Sequence, residues 1–433
     1  MKAQETMPTT KVERSAKFVK TGFQIGGNYI KHYSKKLFNP ELSRDELNED
    51  NAADIYNSLS ELKGSALKIA QMLSMDKNIL PKAYVNKFTQ SQYNAPPLSG
   101  PLIVRTFTKI FGKTPEKIFD KFNIKSTHAA SIGQVHEAEL NGKKLAIKIQ
   151  YPGVGDSISS DLKLVKPFAF RLLGMSEKEL NIYIKEVEER LLEETDYLLE
   201  VRRSVEFSVA CSQLTDVVFP TYYPELSGNR IITMDWIEGL HLKEFLQTNP
   251  SQEVRNKIGQ ALWDFYNYQQ HEMRKVHADP HPGNFIITND NKLGVIDFGC
   301  IKEMPDDFYE PFFSLTSNNL FDNKEATIKA FRQLEMILPN DTAAQIEFYY
   351  TAYKEMISLF AKPYSTPTFD FSQVDFFEGL YNYGEKIAKM PEFKQARGVK
   401  HFIYINRTNF GLYSILHELK ATVKTQTYTP KFK

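Results

Sequence analysis

Two short segments constrain this chain more than anything else in it. The first reads His277-Ala278-Asp279-Pro280-His281-Pro282-Gly283-Asn284, and the second Val295-Ile296-Asp297-Phe298-Gly299. Pro280 and Pro282 lack N–H donors and fix φ, so the first segment is a loop and not a helix. That removes zinc from consideration, because the i, i+4 spacing of His277 and His281 brings two imidazoles to one metal on a helix. In a loop, an Asp followed five positions later by an Asn suits phosphoryl transfer. Asp279 orients or deprotonates the acceptor and Asn284 holds a magnesium ion. The second segment is an apolar strand that delivers Asp297 into a cleft, with Gly299 letting the chain turn away. Asp297 then bridges magnesium to the phosphates.

The same chemistry needs a cation and a partner for it upstream. Val135 to Leu140 and Lys143 to Gln150 read as two strands around Asn141-Gly142, the residue pair that a two-residue hairpin turn favours. The second strand carries Leu145-Ala146-Ile147-Lys148, and a lysine placed there aims its ammonium at nucleotide phosphates. A helix is predicted from about Leu180 to Arg203, with an apolar stripe of Ile184, Val187, Leu191, Leu198 and Val201. At 100° per residue Glu194 falls inside that stripe. A buried carboxylate needs a partner, and the expectation is that Glu194 pairs with Lys148. The nucleotide, ATP or ADP with Mg2+, meets an unusual loop. With the register set on Val135, the three glycine positions of a kinase phosphate loop become His128, Ala130 and Gly133. Two side chains then stand where backbone should approach phosphate, which stiffens the loop and alters nucleotide handling.

Composition narrows the partners. Lys plus Arg number 54 and Asp plus Glu 53 in 433 residues, a net charge of +1. Nucleic acid is therefore not an expected partner. Two cysteines, Cys211 and Cys300, suit a reducing compartment. No stretch approaches the roughly 20 apolar residues of a membrane span, so the expected location is cytoplasmic, with at most peripheral membrane contact. The exception to an even charge balance is Lys11 to Lys36, which holds seven cationic residues against Glu13. Val12, Ala16, Val19, Phe23, Gly27 and Ile30 recur there at helical steps. Such a basic amphipathic segment fits an anionic membrane surface. Four regions follow: a basic segment over residues 1–45, helices with Pro-rich breaks over 46–125, mixed strands and helices over 126–238, and a mainly helical part over 239–433. The last region has one short strand interruption from Asn284 to Phe298 and a basic tail from residue 420.

Taken together, these residues resemble the UbiB family, the AarF-domain atypical kinases associated with isoprenoid quinone biosynthesis. The resemblance rests on Lys63-Gly64-Ser65-Ala66-Leu67-Lys68-Ile69-Ala70-Gln71, on Ala129-Ala130-Ser131-Ile132-Gly133-Gln134-Val135, on Lys148 to Val154, on Glu194-Thr195-Asp196-Tyr197, and on the Asp279 and Asp297 segments. It implies an α+β, two-lobed, protein-kinase-like fold with an N-terminal helical extension. It implies that Lys68 and Gln71, in a K-x-G-Q motif whose Gly is Ala70 here, occlude the acceptor cleft, and that Asp196 meets that extension. By the same resemblance Ala129, Ala130, Ser131, Ile132, Gly133, Val135, Met234, Asp235 and Ile237 contact the nucleotide. The implied activity is an ATPase or phosphotransferase supporting quinone or membrane-lipid metabolism, with a lipid or quinone precursor as ligand and no generic protein substrate. No Ala-Pro-Glu segment follows Gly299, in keeping with that. A small-molecule kinase of the aminoglycoside or choline type and a non-catalytic nucleotide-binding scaffold are the alternatives. Lys68 and Gln71 weigh against the first, and the intact set of Lys148, Glu194, Asp279, Asn284 and Asp297 against the second.

Overall fold

The hairpin predicted around Asn141-Gly142 is the centre of the first of two units. The computed structural model describes residues 45–62, 98–129, 132–173, 177–316, 320–388, 390–394 and 397–432. The expectations for residues 1–44, for Lys68 and Gln71, and for Ala130 and Ser131 lie outside the described residues. One unit runs to Val201 and includes Thr221–Trp236; the other comprises Arg202–Pro220 and Ile237–Lys433.

In the first unit, helices α1 (Asp45–Leu62) and α2 (Gly100–Phe111) precede strands β1 (Lys121–Phe122), β2 (His128–Ala129), β3 (Gly133–Leu140) and β4 (Lys143–Gln150). Asn141 and Gly142 take φ of 53° and 74°, the left-handed pair that matches the twist of flanking strands. β4 pairs antiparallel with β3 on one side and with β5 (Ile231–Asp235) on the other, Lys148 lying opposite both Val135 and Ile232. Every residue from Leu145 to Gln150 is buried, so β4 is covered on both faces. Ile147, Ile149, Ile231 and Ile232 form the sheet's core with Phe107 and Ile103 of α2. α3 (Val154–Leu173) and α4 (Glu177–Thr195) follow, and then α5 (Tyr197–Ala210).

One long helix was expected where the chain makes α4 and α5. The break is at Asp196. Its Oδ1 accepts the Leu199 N–H at 2.9 Å, and its carbonyl accepts the Glu200 N–H at 3.0 Å. Asp196 is thus the N-cap of a new helix, satisfying a donor that the first turn would otherwise leave unpaired.

The second unit is built on α6 (Gln252–Tyr268), whose Ile258, Trp263, Phe265 and Tyr266 are fully buried. The chain is less uniformly helical here than expected. The two-residue strand Val217–Val218 joins a sheet with β6 (Gly239–Leu240), β8 (Phe285–Thr288) and β9 (Leu293–Val295). β7 (Lys275–His277) pairs with β10 (Ile301–Glu303), and Ile301 lies opposite His277. Helices α7 (Asp306–Ser314), α8 (Lys324–Gln333), α9 (Ala343–Ala361), α10 (Val374–Ala388) and α11 (Lys400–Leu419) complete it, with β11 (Thr368–Asp370) pairing β12 (Thr422–Lys424). Within the basic tail that the sequence gives from residue 420, β12 is a paired strand. Strands of two to four residues are too short to show a period of two, which is why the sequence read as helical around them.

Candidate active site

Lys148 reaches its charged partner through the break at Asp196. Its Nζ donates to Glu200 Oε1 at 2.7 Å, with side-chain exposures of 9% and 3%. The ammonium also lies 5.2 Å from the centre of the Tyr197 ring. Glu200 stands in the first turn of α5. Glu194 was the expected partner; the pair seen in the structure is the one with Glu200. Glu194 is buried, but the guanidinium Nε of Arg190, one turn back on α4, is 3.4 Å from its Oε1. The helical-wheel count placed Glu194 correctly on the buried face of α4. It did not carry across the cap to find Glu200. The break is itself pinned to the strand, since Gln150 Nε2 at the end of β4 donates to the Thr195 carbonyl at 2.9 Å.

Ile132, just ahead of β3, is tied through its backbone. Tyr151 N–H donates to the buried Ile132 carbonyl at 2.9 Å. Gly133 has no room for a side chain: a Cβ there would stand 2.5 Å from the Ile149 carbonyl oxygen and 2.8 Å from Tyr197 Oη. The glycine kept from the kinase pattern thus answers to strand β4 and to the helix that carries Glu200. His128, in β2, lies near Trp236 with ring centres 6.2 Å apart, and Lys144 Nζ stands 4.6 Å over the same indole. Sequence reasoning did not single out Trp236. Of the expected adenine-side residues, Met234 is buried opposite Ala146 in the sheet. Asp235 Oδ1 accepts the Tyr223 hydroxyl at 2.7 Å and Oδ2 accepts the Thr221 N–H at 3.3 Å. Its carboxylate is a local brace. Gln134 and His136, further along β3, make a buried neutral chain. Gln134 Oε1 accepts the Leu98 N–H at 2.8 Å, its Nε2 meets His136 Nε2 at 2.8 Å, and His136 Nδ1 meets the Asn123 carbonyl at 2.8 Å. Burial depresses the His136 pKa, which keeps the ring neutral.

In the second unit the Asp279 loop and the Asp297 segment are stitched together. Asn284 Nδ2 donates to the Asp279 carbonyl at 2.9 Å and lies 3.4 Å from its Oδ2. With the amide nitrogen so engaged, Oδ1 is the side of Asn284 left to act as an acceptor. Ile296 N–H donates to the Asn284 carbonyl at 3.1 Å, bringing Asp297 next in line. Asp297 Oδ1 accepts the Gly299 N–H at 2.9 Å, the turn that the glycine permits. Phe298 is fully buried against Phe207, Phe219 and the edge of His277. His277 is structural: its N–H donates to Gln269 Oε1 at 2.8 Å, and its Nδ1 meets the Tyr266 hydroxyl at 3.1 Å. Burial, with Asp279 and Cys300 nearby, holds the Tyr266 phenol protonated. His281 Nδ1 accepts the Gly283 N–H at 3.0 Å, so the second histidine shapes the loop too.

Among the described residues no group of three or more His, Cys, Asp and Glu side chains makes a metal cage. Asn284 and Asp297 offer two hard oxygen donors on adjacent segments. That fits magnesium, which takes one or two protein oxygens and completes its shell with water and phosphate.

A family model, the ABC1 atypical kinase-like domain, matches residues 90–331. The chain belongs to this family. Similar ABC1 proteins include the mitochondrial atypical kinase COQ8 of Saccharomyces cerevisiae, 32% identical over 65% of this chain and 56% of the relative. The probable serine/threonine-protein kinase abkA of Dictyostelium discoideum is 30% identical over 70% of this chain and 57% of the relative. The chain thus spans less than two-thirds of the length of these relatives. Among solved structures, Rv3197 of Mycobacterium tuberculosis, in complex with erythromycin, superposes with a TM-score of 0.60 at 24% identity, over 88% of this chain and 95% of that one. The fold is accordingly the kinase-like α+β fold of the ABC1 family.

Proposed function

We propose that this ABC1 chain is an ATP-using atypical kinase or ATPase, dependent on magnesium, that serves isoprenoid quinone or membrane-lipid metabolism. The observation that carries the reading is the buried Lys148–Glu200 pair at 2.7 Å. Two charges inside a sheet core contribute little net stability. A site that must present an ammonium to phosphate in a fixed direction gives them a purpose. Lys148 would contact the nucleotide phosphates, and Glu200 would hold its ammonium in place. Asn284 and Asp297 would hold magnesium, which when bound offsets charge on the phosphates. Asp279, oriented by Asn284, would accept or direct the proton of the acceptor group. Asp235 and Glu194 each have a local partner, Tyr223 and Arg190 respectively. The family resemblance and the absence of an Ala-Pro-Glu segment support a lipid-soluble small-molecule acceptor, or water, over generic protein. Measuring phosphate release from MgATP by the purified chain, with and without a prenylated phenol or anionic vesicles, tests this. No release in any condition, with no nucleotide binding, would overturn it.

A further inference from the structure

Six residues of α6 and the turn after it recur at steps of four: Gln252, Asn256, Gln260, Asp264, Tyr268 and Glu272. Such a set forms one ridge along a helix. It is polar and aromatic, and each member is taken by the segment after α11. Gln252 Nε2 donates to the Lys420 carbonyl at 2.7 Å. Asn256 Oδ1 accepts the Thr422 N–H at 2.9 Å. Gln260 makes a reciprocal pair with the Lys424 backbone, at 2.7 and 3.1 Å. The Asp264 carboxylate faces the Thr427 side chain, which with Gln260 opposes the rise in its pKa caused by burial. Tyr268 meets Tyr428 edge to face at 5.4 Å, and Glu272 meets Lys431 Nζ at 2.6 Å. Gly259 permits the approach, since a methyl there would collide with Ala421.

The segment ends on the turn that leads into the Asp279 loop. After α6 the helix widens into a π turn, Gln269–Met273, a form common at functional sites. Arg274 then leaves it with φ of 55°. Its Nη2 donates to the Lys431 carbonyl at 2.6 Å, and its guanidinium lies 3.0 Å from the centre of the Tyr309 ring. The Tyr309 hydroxyl is 3.3 Å from the Lys431 N–H and 2.7 Å from His271 Nδ1. The Arg274 carbonyl accepts the Met304 N–H at 2.8 Å. Two residues on, β7 pairs with β10, and the Ala278 N–H donates to the Cys300 carbonyl at 2.9 Å. One guanidinium therefore joins the strap, an aromatic ring and the backbone that sets both the Asp279 and Asp297 segments.

We infer that residues 420–432 are a strap that positions the Asp279 loop, and that Arg274 is the positioning residue through which it acts. This rests on the proposed phosphotransferase reading, and it is tested by a measurement that does not need turnover. Three variants suffice: removal of residues 427–433, Arg274→Ala, and the milder Tyr428→Ala. Amide hydrogen exchange is read at His277 and Ala278, with β4 amides as an internal reference, alongside kcat and KM for MgATP hydrolysis. Arg274→Ala and the truncation should speed exchange at His277 and Ala278 about tenfold relative to β4. They should lower kcat about tenfold while KM for ATP moves less than twofold. Tyr428→Ala should show the same pattern at smaller size, and it keeps the test open if the truncated chain fails to fold. Arg274→Lys should recover only part of kcat, because an ammonium cannot both stack flat on Tyr309 and reach the Lys431 carbonyl as the guanidinium does. A folded Arg274→Ala chain with wild-type exchange at His277 and Ala278, or with faster exchange and unchanged kcat, overturns the inference. Should the wild type show no turnover, the functional reading fails by itself. The exchange ratio then decides the strap alone: a rise supports it and no change overturns it.

Discussion

Gly133 and His271 show how tightly single residues are bound to their surroundings. A Cβ at Gly133 would press on the Ile149 carbonyl and on Tyr197, the ring that flanks Lys148. Gly133→Ala should therefore cost about 1–3 kcal/mol and weaken nucleotide binding, measured by urea unfolding and by titration with a fluorescent nucleotide. His271 is fixed against Tyr309 and fully enclosed. Burial, then the nearby charges of Arg274 and Lys431, push its pKa down from 6.5 to about 3. The folded chain keeps it neutral while the unfolded chain protonates it below pH 6.5. Its contribution to stability is complete above 6.5 and is lost as pH falls from there toward 3, at about 1.4 kcal/mol per pH unit. His271→Gln should flatten the fall of the urea midpoint between pH 6.5 and 4.5 relative to the wild type. The lysine of the site was legible because a strand period and a hairpin turn place it. Its partner was not, because Glu194 and Glu200 are both acidic residues on apolar faces. The cap at Asp196 is what sets Glu200 against Lys148 of β4.

At the scale of elements, that cap is the hinge of the site's geometry. Asp196 starts α5, and Glu200 rides on its first turn. Asp196→Ala should cost about 1 kcal/mol of stability and lower ATP turnover, because Glu200 loses its fixed place. Asp196→Asn, which still caps, should restore most of both. Equal losses in the two variants would mean that the charge of Asp196, and not the cap, is what matters. The signal for this break was present in the sequence, where Asp196 is a residue type that starts helices. The long run of helix formers from Leu180 to Arg203 overrode it. The loop segments fared better: Pro280 and Pro282 forbid a regular helix, and the structure has only the short 3-10 turn Pro282–Asn284 there. The small strands β6, β7 and β10 were invisible, because pairings between distant segments, such as Ile301 with His277, leave no local period.

For the whole molecule, the kinase-like fold was legible from the order and spacing of Lys148, Glu194, Asp279, Asn284 and Asp297, and the ABC1 family match over residues 90–331 agrees. The role of the strap was not, since a polar ridge at steps of four looks like any solvated helix face until its occupant is seen. Among the described residues no helix is long and apolar enough to cross a membrane. The expectation of membrane contact rests on the sequence of the basic segment over residues 11–37 alone. With about 1 kcal/mol per cation near an anionic surface, its seven cationic residues are expected to hold the chain on vesicles. Deleting residues 1–40 should abolish co-sedimentation with anionic vesicles and leave basal ATP turnover in place. Asp297→Asn should do the reverse. The measurement that bears most directly on the central claim is a double-mutant cycle on phosphate release from MgATP, with Lys148→Ala, Glu200→Ala and the pair. Each single change should lower turnover on the order of 10²-fold, and the pair should be scarcely worse than either, since both break one contact. Glu194→Ala should combine additively with Lys148→Ala. Turnover that survives Glu200→Ala, or losses at Lys148 and Glu200 that simply multiply, would contradict the account.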